Sequence, residues 1–198
     1  MFTTGLMHLC EAGKVTNARK GIHPGRSVTT FAAGEAALYE WLDGRTDVAF
    51  APVSVVNDPM VIAANHAMVT INGAVTVDLF GQVVADTVAC RQYSGVGGHE
   101  DFVSGGGFQA DDRSLICLPS TASLLDGTIR SRIVAGGEPS IVSTPRHQTD
   151  VVITEHGVAE LRGLTVSERA VALARIAHPD FRDQLLADAE RCWVGPSR

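Results

Sequence analysis

The chain has 198 residues, 45% of them hydrophobic, and a formal net charge of -6. That is enough apolar material for one large α/β domain or two small ones without covalent staples. A negative chain with scattered arginines attracts neither a phosphate backbone nor an anionic lipid surface, which argues against a nucleic-acid or membrane binder.

Four cysteines stand at positions 10, 90, 117 and 192, far apart and with no Cys-x-x-Cys pair. This fits reduced thiols in a cytoplasmic protein better than a disulfide framework. The seven histidines show no His-x-x-x-His spacing, so no metal site is expected. No apolar run approaches the ~20 residues of a membrane span.

In chain order, Phe2 to Ala12 reads as a helix with Phe2, Leu6, Leu9 and Cys10 on one face and no capping residue ahead of it. Lys14 to Gly25 is a basic, glycine-containing connector. Val28 to Phe31 predicts a short strand, Gly34 to Leu42 a helix, and Val48 to Ala51 another strand. Asp58-Pro59 predicts a helix start, with Asp58 as N-cap and Pro59 in the first position. Met68 to Ile71 and Val75 to Leu79 read as strands around Asn72-Gly73, a strong hairpin signal, so Asn72 reads as a type I′ turn residue. Val83 to Val88 reads as one more strand. Gly105-Gly106-Gly107 predicts an exposed loop.

Leu115 to Leu118 is a wholly apolar run that suits a strand buried on both faces. Ile129 to Val134, Ser140 to Val142 and Val151 to Ile153 predict further strands. Thr165-Val166-Ser167-Glu168 is a capping box opening a helix through Ile176, and Phe181 to Cys192 a final amphipathic helix. Strands and helices alternate throughout, which predicts one α/β domain over residues 1–198.

Two places could carry chemistry. The first is Ser94-Gly95-Val96-Gly97-Gly98-His99-Glu100-Asp101-Phe102. Its glycines can gather backbone N–H groups around a phosphate or a thioester oxyanion, or simply make a tight turn. It does not meet the dinucleotide fingerprint, because Glu100 stands where the last glycine belongs. Glu100 and Asp101 read as solvated or as capping a following helix. The second is Glu155, at the carboxyl end of a buried strand, where ligands gather in open α/β sheets. Its alternatives are a salt bridge to Arg162 or Arg146, or a cap for the turn after it. Arg130, Arg132 and Arg146 could clamp a phosphate or carboxylate, or make surface ion pairs. A serine hydrolase is disfavoured, since no Gly-x-Ser-x-Gly elbow occurs.

Four stretches together resemble one family. Ile71-Asn72-Gly73-Ala74-Val75-Thr76-Val77-Asp78-Leu79-Phe80-Gly81-Gln82 is similar to its Ile-Asn-Ser-Ala-Ile-Glu-Val-Asp-Leu-x-Gly-Gln. Ser94 to Phe102 resembles Ser-Gly-x-Gly-Gly-Gln-x-Asp-Phe. Val152 to Gly163 resembles Val-Val-Thr-Glu-x-Gly-Val-Ala-x-Leu-Arg-Gly, and Ile176 to Arg182 resembles Ile-Ala-His-Pro-Asp-Phe-Arg. The family is that of acetyl-CoA hydrolases and transferases, including 4-hydroxybutyrate and acetate CoA-transferases, and the match is to its C-terminal half.

The resemblance implies an open mixed sheet flanked by helices, of the CoA-transferase type. It implies CoA transfer between an acyl-CoA and a small carboxylic acid through a glutamyl-CoA thioester, with coenzyme A as substrate and no permanently bound cofactor. Gly98 would donate its N–H to the thioester oxyanion, with Gly95 and Gly97 shaping a CoA-binding loop. Asn72 would orient the nucleophile and Glu155 would line the same pocket. Thr76, His99 and Gly73 replace the family's glutamate, glutamine and serine. In the family the nucleophilic glutamate directly precedes the Met-Phe pair matched by Met1-Phe2. None of Glu11, Glu35, Glu40, Glu100 or Glu155 matches that position. The expectation is a chain lacking the nucleophile and the N-terminal domain, with little activity alone. Loss of cover over one sheet face predicts an exposed apolar patch, and either a homo-oligomer or pairing with an N-terminal half.

Overall fold

The computed structural model of the chain describes residues 1–137 and 140–192. A small unit comes first. Phe2–Thr3 is a two-residue strand, β1, and Thr3 then caps α1 (Thr4–Glu11), its hydroxyl accepting from the Leu6 N–H at 3.3 Å. The helix expected to start uncapped at Phe2 is thus shorter and capped. After the basic connector come β2 (Ser27–Thr29), β3 (Ala32–Ala33), α2 (Ala36–Leu42) and β4 (Val48–Phe50). β1 pairs parallel with β3, and β2 with β4. Phe2, Met7, Leu38 and Val48 form their own core, with the Phe2 and Trp41 rings stacked at 5.8 Å.

Two short helices follow, α3 (Val53–Val56) and α4 (Pro59–Ala63). Asp58 caps α4 by accepting from the Met60 N–H at 2.8 Å, with Pro59 in the first turn. β5 (Val69–Gly73) then departs from expectation. It runs straight through Asn72-Gly73 instead of turning back on β6 (Thr76–Asp78). Neither residue has the positive φ that a type I′ turn requires. β5 is instead held parallel to β10 (below), with Asn72 opposite Ile116 and Gly73 opposite Cys117.

The chain continues through β7 (Val83–Val84), β8 (Thr87–Val88), β9 (Arg91–Gln92), α5 (His99–Gly105) and β10 (Arg113–Cys117). Next come β11 (Thr121–Ser123), β12 (Ile129–Ser131), β13 (Ile133–Val134), β14 (Val151–Thr154), β15 (Gly157–Glu160), α6 (Val166–Arg175) and α7 (Pro179–Cys192). The main sheet has the order β15-β14-β10-β5; β14 and β15 are antiparallel and the remaining pairs parallel, so it is mixed. A second sheet, β13-β6-β7, lies alongside in the chain. The strand expected at Ser140 to Val142 does not form; Thr144 makes an isolated bridge to Val83 instead.

One face of the main sheet is packed under helices. Ile116, Val152 and Ala159 join Ala170, Leu173 and Ala174 of α6 and Leu185 and Ala189 of α7 in the core. The spacing of 170, 173 and 174 places one stripe of α6 inward. The capping box forms, with the Thr165 hydroxyl on the Glu168 N–H and the Glu168 carboxylate back on the Thr165 N–H. Thr154 ties the strand end to the helix end, its hydroxyl donating to the Ile176 carbonyl at 2.6 Å. The other face is apolar and open: Ile71 is 69% exposed, Val158 57% and Val69 51%.

Gly105 and Gly106 do not make the exposed loop their run predicts. Both are buried, and α5 packs through them. A Cβ on Gly105 would lie 2.7 Å from Ile62, and one on Gly106 would lie 2.7 Å from Thr70. Gly105→Ala therefore overpacks the α4–α5 contact. It should cost about 1–3 kcal/mol in urea unfolding, while an unchanged midpoint would show that the contact yields freely.

Candidate active site

The three parallel strands β5, β10 and β14 end at one edge of the sheet. Glu155 follows the last residue of β14, on a two-residue turn closed by Gly157 at φ 149. Ser120 lies three residues past β10, just after Pro119, and is fully buried. It holds Glu155 with both its donors. The Ser120 N–H reaches Oε2 at 2.9 Å and the hydroxyl donates to Oε1 at 2.6 Å. The Ser120 hydroxyl, then the backbone at Glu155 and at Ser120, pull the carboxyl from 4.5 down to about 2.

Glu155 is therefore ionised at neutral pH, with half of its side chain open to solvent. It can offer a fixed negative charge and acceptor oxygens, but not a proton. Of the two arginine partners expected from sequence, Arg162 is engaged elsewhere and Arg146 is exposed, with no ion pair to Glu155 among the described residues. Arg162 donates to the Ala110 and Asp112 carbonyls and pairs with Asp150 at 3.3 Å. Beside Glu155 stands the His156 imidazole, at 3.6 Å.

Asn72 occupies the same edge at the end of β5. Its Nδ2 is buried and has no hydrogen-bond partner among the described residues. An unpaired buried donor costs about 1–3 kcal/mol, so it is a group that a ligand oxygen would satisfy. Of the three candidate clamp arginines, Arg132 reaches this edge. Its main chain bonds the Ser120 carbonyl at 2.8 Å and the Val77 N–H at 2.9 Å. Its side chain reaches the Ala74 carbonyl at 3.4 Å, and its Nε is a second buried donor without a partner among the described residues. Arg130, by contrast, lies exposed on β12.

The glycine loop is exposed over Ser94 to Gly97, with Gly97 at φ 61. Gly98 stands at the N-cap of α5 with φ -99, so it is glycine for space rather than for backbone angle. A Cβ there would run into the Asn57 side-chain amide, which is fixed by its own bond to Asp101 at 2.9 Å. The Gly98 N–H has no acceptor among the described residues.

His99 anchors the loop to the sheet edge, meeting the Gly73 backbone on one side and the Thr144 hydroxyl at 2.9 Å on the other. Burial pulls the His99 pKa below its usual value, while Glu100, Asp86 and the Gly73 backbone act the other way. Thr144 in turn donates to Glu100 at 2.9 Å. Glu100 and Asp101 are thus bonded into the structure rather than simply solvated.

Residues 34–189 match the model of the acetyl-CoA hydrolase/transferase C-terminal domain. The chain belongs to this family. It is 39% identical over 96% of its length to 4-hydroxybutyrate coenzyme A transferase of Clostridium kluyveri, covering 44% of that protein. It is 40% identical over 98% of its length to butyryl-CoA:acetate CoA-transferase of Anaerostipes caccae, again covering 44%. The crystal structure of RipA from Yersinia pestis superimposes with a TM-score of 0.86 at 41% identity, over 96% of this chain and 42% of RipA. The chain therefore spans less than half the length of the relatives it matches.

In this member of the acetyl-CoA hydrolase/transferase family, sequence reasoning named Asn72, Gly95, Gly97, Gly98 and Glu155. The structure puts Asn72 and Glu155 on one sheet edge and anchors the glycine loop to Gly73. It adds Ser120 and Thr144, which the reading of the residues missed, and gives His99, noted only as a replacement for the family's glutamine, an anchoring place. Pro119-Ser120, directly after an apolar strand, was the available signal for the first.

The Ser120–Glu155 bond has a measurable consequence. A carboxyl whose folded pKa is depressed contributes stability above its ordinary pKa of 4.5, and that contribution is lost as pH falls through about 2. In a carbon-13 titration Glu155 should have its midpoint near 2, and Ser120→Ala should raise it by roughly one unit or more. An unmoved midpoint would show that Ser120 does not hold the carboxylate.

Proposed function

We propose that this chain supplies the thioester-binding half of an acyl-CoA:carboxylate CoA-transferase site. What supports the reading is the sheet edge itself, where β5 ends at the unpaired Asn72 amide, β14 ends at the ionised Glu155, and His99 of the glycine loop meets Gly73. The family's CoA-transferase members support the reaction class.

In the proposed chemistry a glutamate carboxylate attacks the acyl-CoA thioester carbon. The C–S bond breaks, CoA thiolate leaves, and an acyl-glutamyl anhydride forms. The thiolate then attacks the glutamyl carbonyl, releasing the acyl group as a carboxylate and leaving glutamyl-CoA. An acceptor carboxylate reverses the two steps. Each attack develops an oxyanion, which the free Gly98 N–H would receive; one such donor is worth about 100- to 1000-fold in rate. Gly95 and Gly97 shape the loop, and the Asn72 Nδ2 orients the attacking carboxylate. Glu155, held ionised, stays a fixed charge in the same pocket.

The nucleophile is proposed to come from the part of the relatives that these 198 residues do not span, on a domain that meets the strand ends at Asn72 and Glu155. The reaction is then transfer of CoA; with water as acceptor the same site would give acyl-CoA hydrolysis.

Incubating the 198-residue chain with acyl-CoA and then borohydride tests this. The account expects no glutamyl-CoA reduction product from the chain alone. It expects one, and CoA transfer to acetate, once the preceding half of a relative is fused to Met1. A reduction product on Glu155 of the isolated chain would overturn the assignment, as would free acid released at the same rate with and without a carboxylate acceptor.

A further inference from the structure

A cavity of about 560 Å³ opens between the basic connector and the amino end of β5. That is within the size range of small-molecule sites, about 300–1,000 Å³. Its floor is apolar, including Val28, Val56, Ile62 and Phe102. Its rim is cationic. Lys14, Arg19 and Lys20 line it, with His23 and His66. The chain as a whole carries a charge of -6, yet between Glu11 and Glu35 it has four cationic residues and no acidic one. Cations are therefore gathered here against the overall balance.

The walls are also built with unusual backbone. Asn17, His23 and Ala67 have φ of 55, 48 and 47, and all three line the cavity. Non-glycine residues held at such angles tend to mark ligand clamps and other functional segments. The connector is braced as well: the Asn17 side chain donates to the Ser27 hydroxyl at 2.9 Å, and the Lys20 ammonium to the Arg26 carbonyl at 2.7 Å.

The cavity adjoins the candidate site. Phe102 lies one turn of α5 beyond Gly98, and Val56 precedes the Asn57 whose amide abuts Gly98. Val69, also in the wall, begins the strand that ends at Asn72–Gly73; at ~3.3 Å per residue, Asn72 is about 10 Å away.

We propose that this cavity takes the phosphate-bearing nucleotide end of the acyl-CoA, with Lys14 and Arg19 on the phosphates and the apolar floor under the base. The inference rests on the acyl-CoA reading above and adds to it the place where the substrate's charged end is held. Lys and Arg suit phosphate oxygens through charge-assisted hydrogen bonds, and an apolar floor beside them suits a purine.

The test is calorimetric titration of the whole chain with three probes: coenzyme A, adenosine 3′,5′-bisphosphate and pantetheine. The bisphosphate should bind and compete with coenzyme A. The double variant Lys14→Glu, Arg19→Glu should weaken both by roughly tenfold or more, with a steep salt dependence in the parent chain, and leave pantetheine unchanged. Both positions are exposed, so the variant should melt at the parent temperature. Bisphosphate binding that depends on Lys14 and Arg19 but does not compete with coenzyme A would support the nucleotide cavity and sink the acyl-CoA reading. Coenzyme A binding that ignores the charge reversal, with no bisphosphate binding, would sink the cavity and leave the acyl-CoA reading standing. Absence of binding by any probe would overturn the cavity assignment.

Discussion

Three parallel strands set the geometry on which the candidate site depends. Because β5, β10 and β14 run in register, with Gly73, Cys117 and Ile153 in one row, their carboxyl ends stop together. Asn72 and Glu155 are 83 positions apart in the sequence, yet this register sets them on one edge with β10 between their strands. Any slip of one residue would turn each side chain to the opposite face. The core of Ile116, Val152 and the α6 stripe prevents that slip, since it requires those side chains to stay under the helices.

The edge is electrostatically prepared as well as placed. Ser120 supplies two of the hydrogen bonds that keep Glu155 ionised, and the chain at Arg132 bonds Ser120 in turn. A carboxylate held this way does not compete for protons with a substrate. The same side of the sheet carries two buried donors, at Asn72 and Arg132, without partners among the described residues. Fixed charge and preorganised donors are the kind of groups that stabilise developing charge at little cost of reorganisation. The glycine loop reaches the same edge because the half-buried His99 sits between Gly73 and Thr144.

What could be read from the sequence divides along physical lines. The capping box at Thr165–Glu168 and the Asp58-Pro59 start were legible because their partners lie within a few residues. Glu155 was legible as the end of a buried strand. Asn72-Gly73 misled for the same local reason: the dipeptide favours a hairpin, but five residues of parallel pairing with β10 outweigh a turn preference. Gly105 and Gly106 read as loop because the atoms that crowd them, on Ile62 and Thr70, are 36 or more positions away. Ser120 escaped notice because its partner lies 35 positions downstream. The family itself was legible through four short motifs, and residues 34–189 match its C-terminal domain.

The most direct measurement is of the donors themselves. In nitrogen-15 spectra of the chain, coenzyme A thioester should shift the Gly98 backbone amide and the Asn72 side-chain amide together, since both are unpaired and both are assigned to the thioester end. Binding that leaves these two signals in place while moving others would contradict the account.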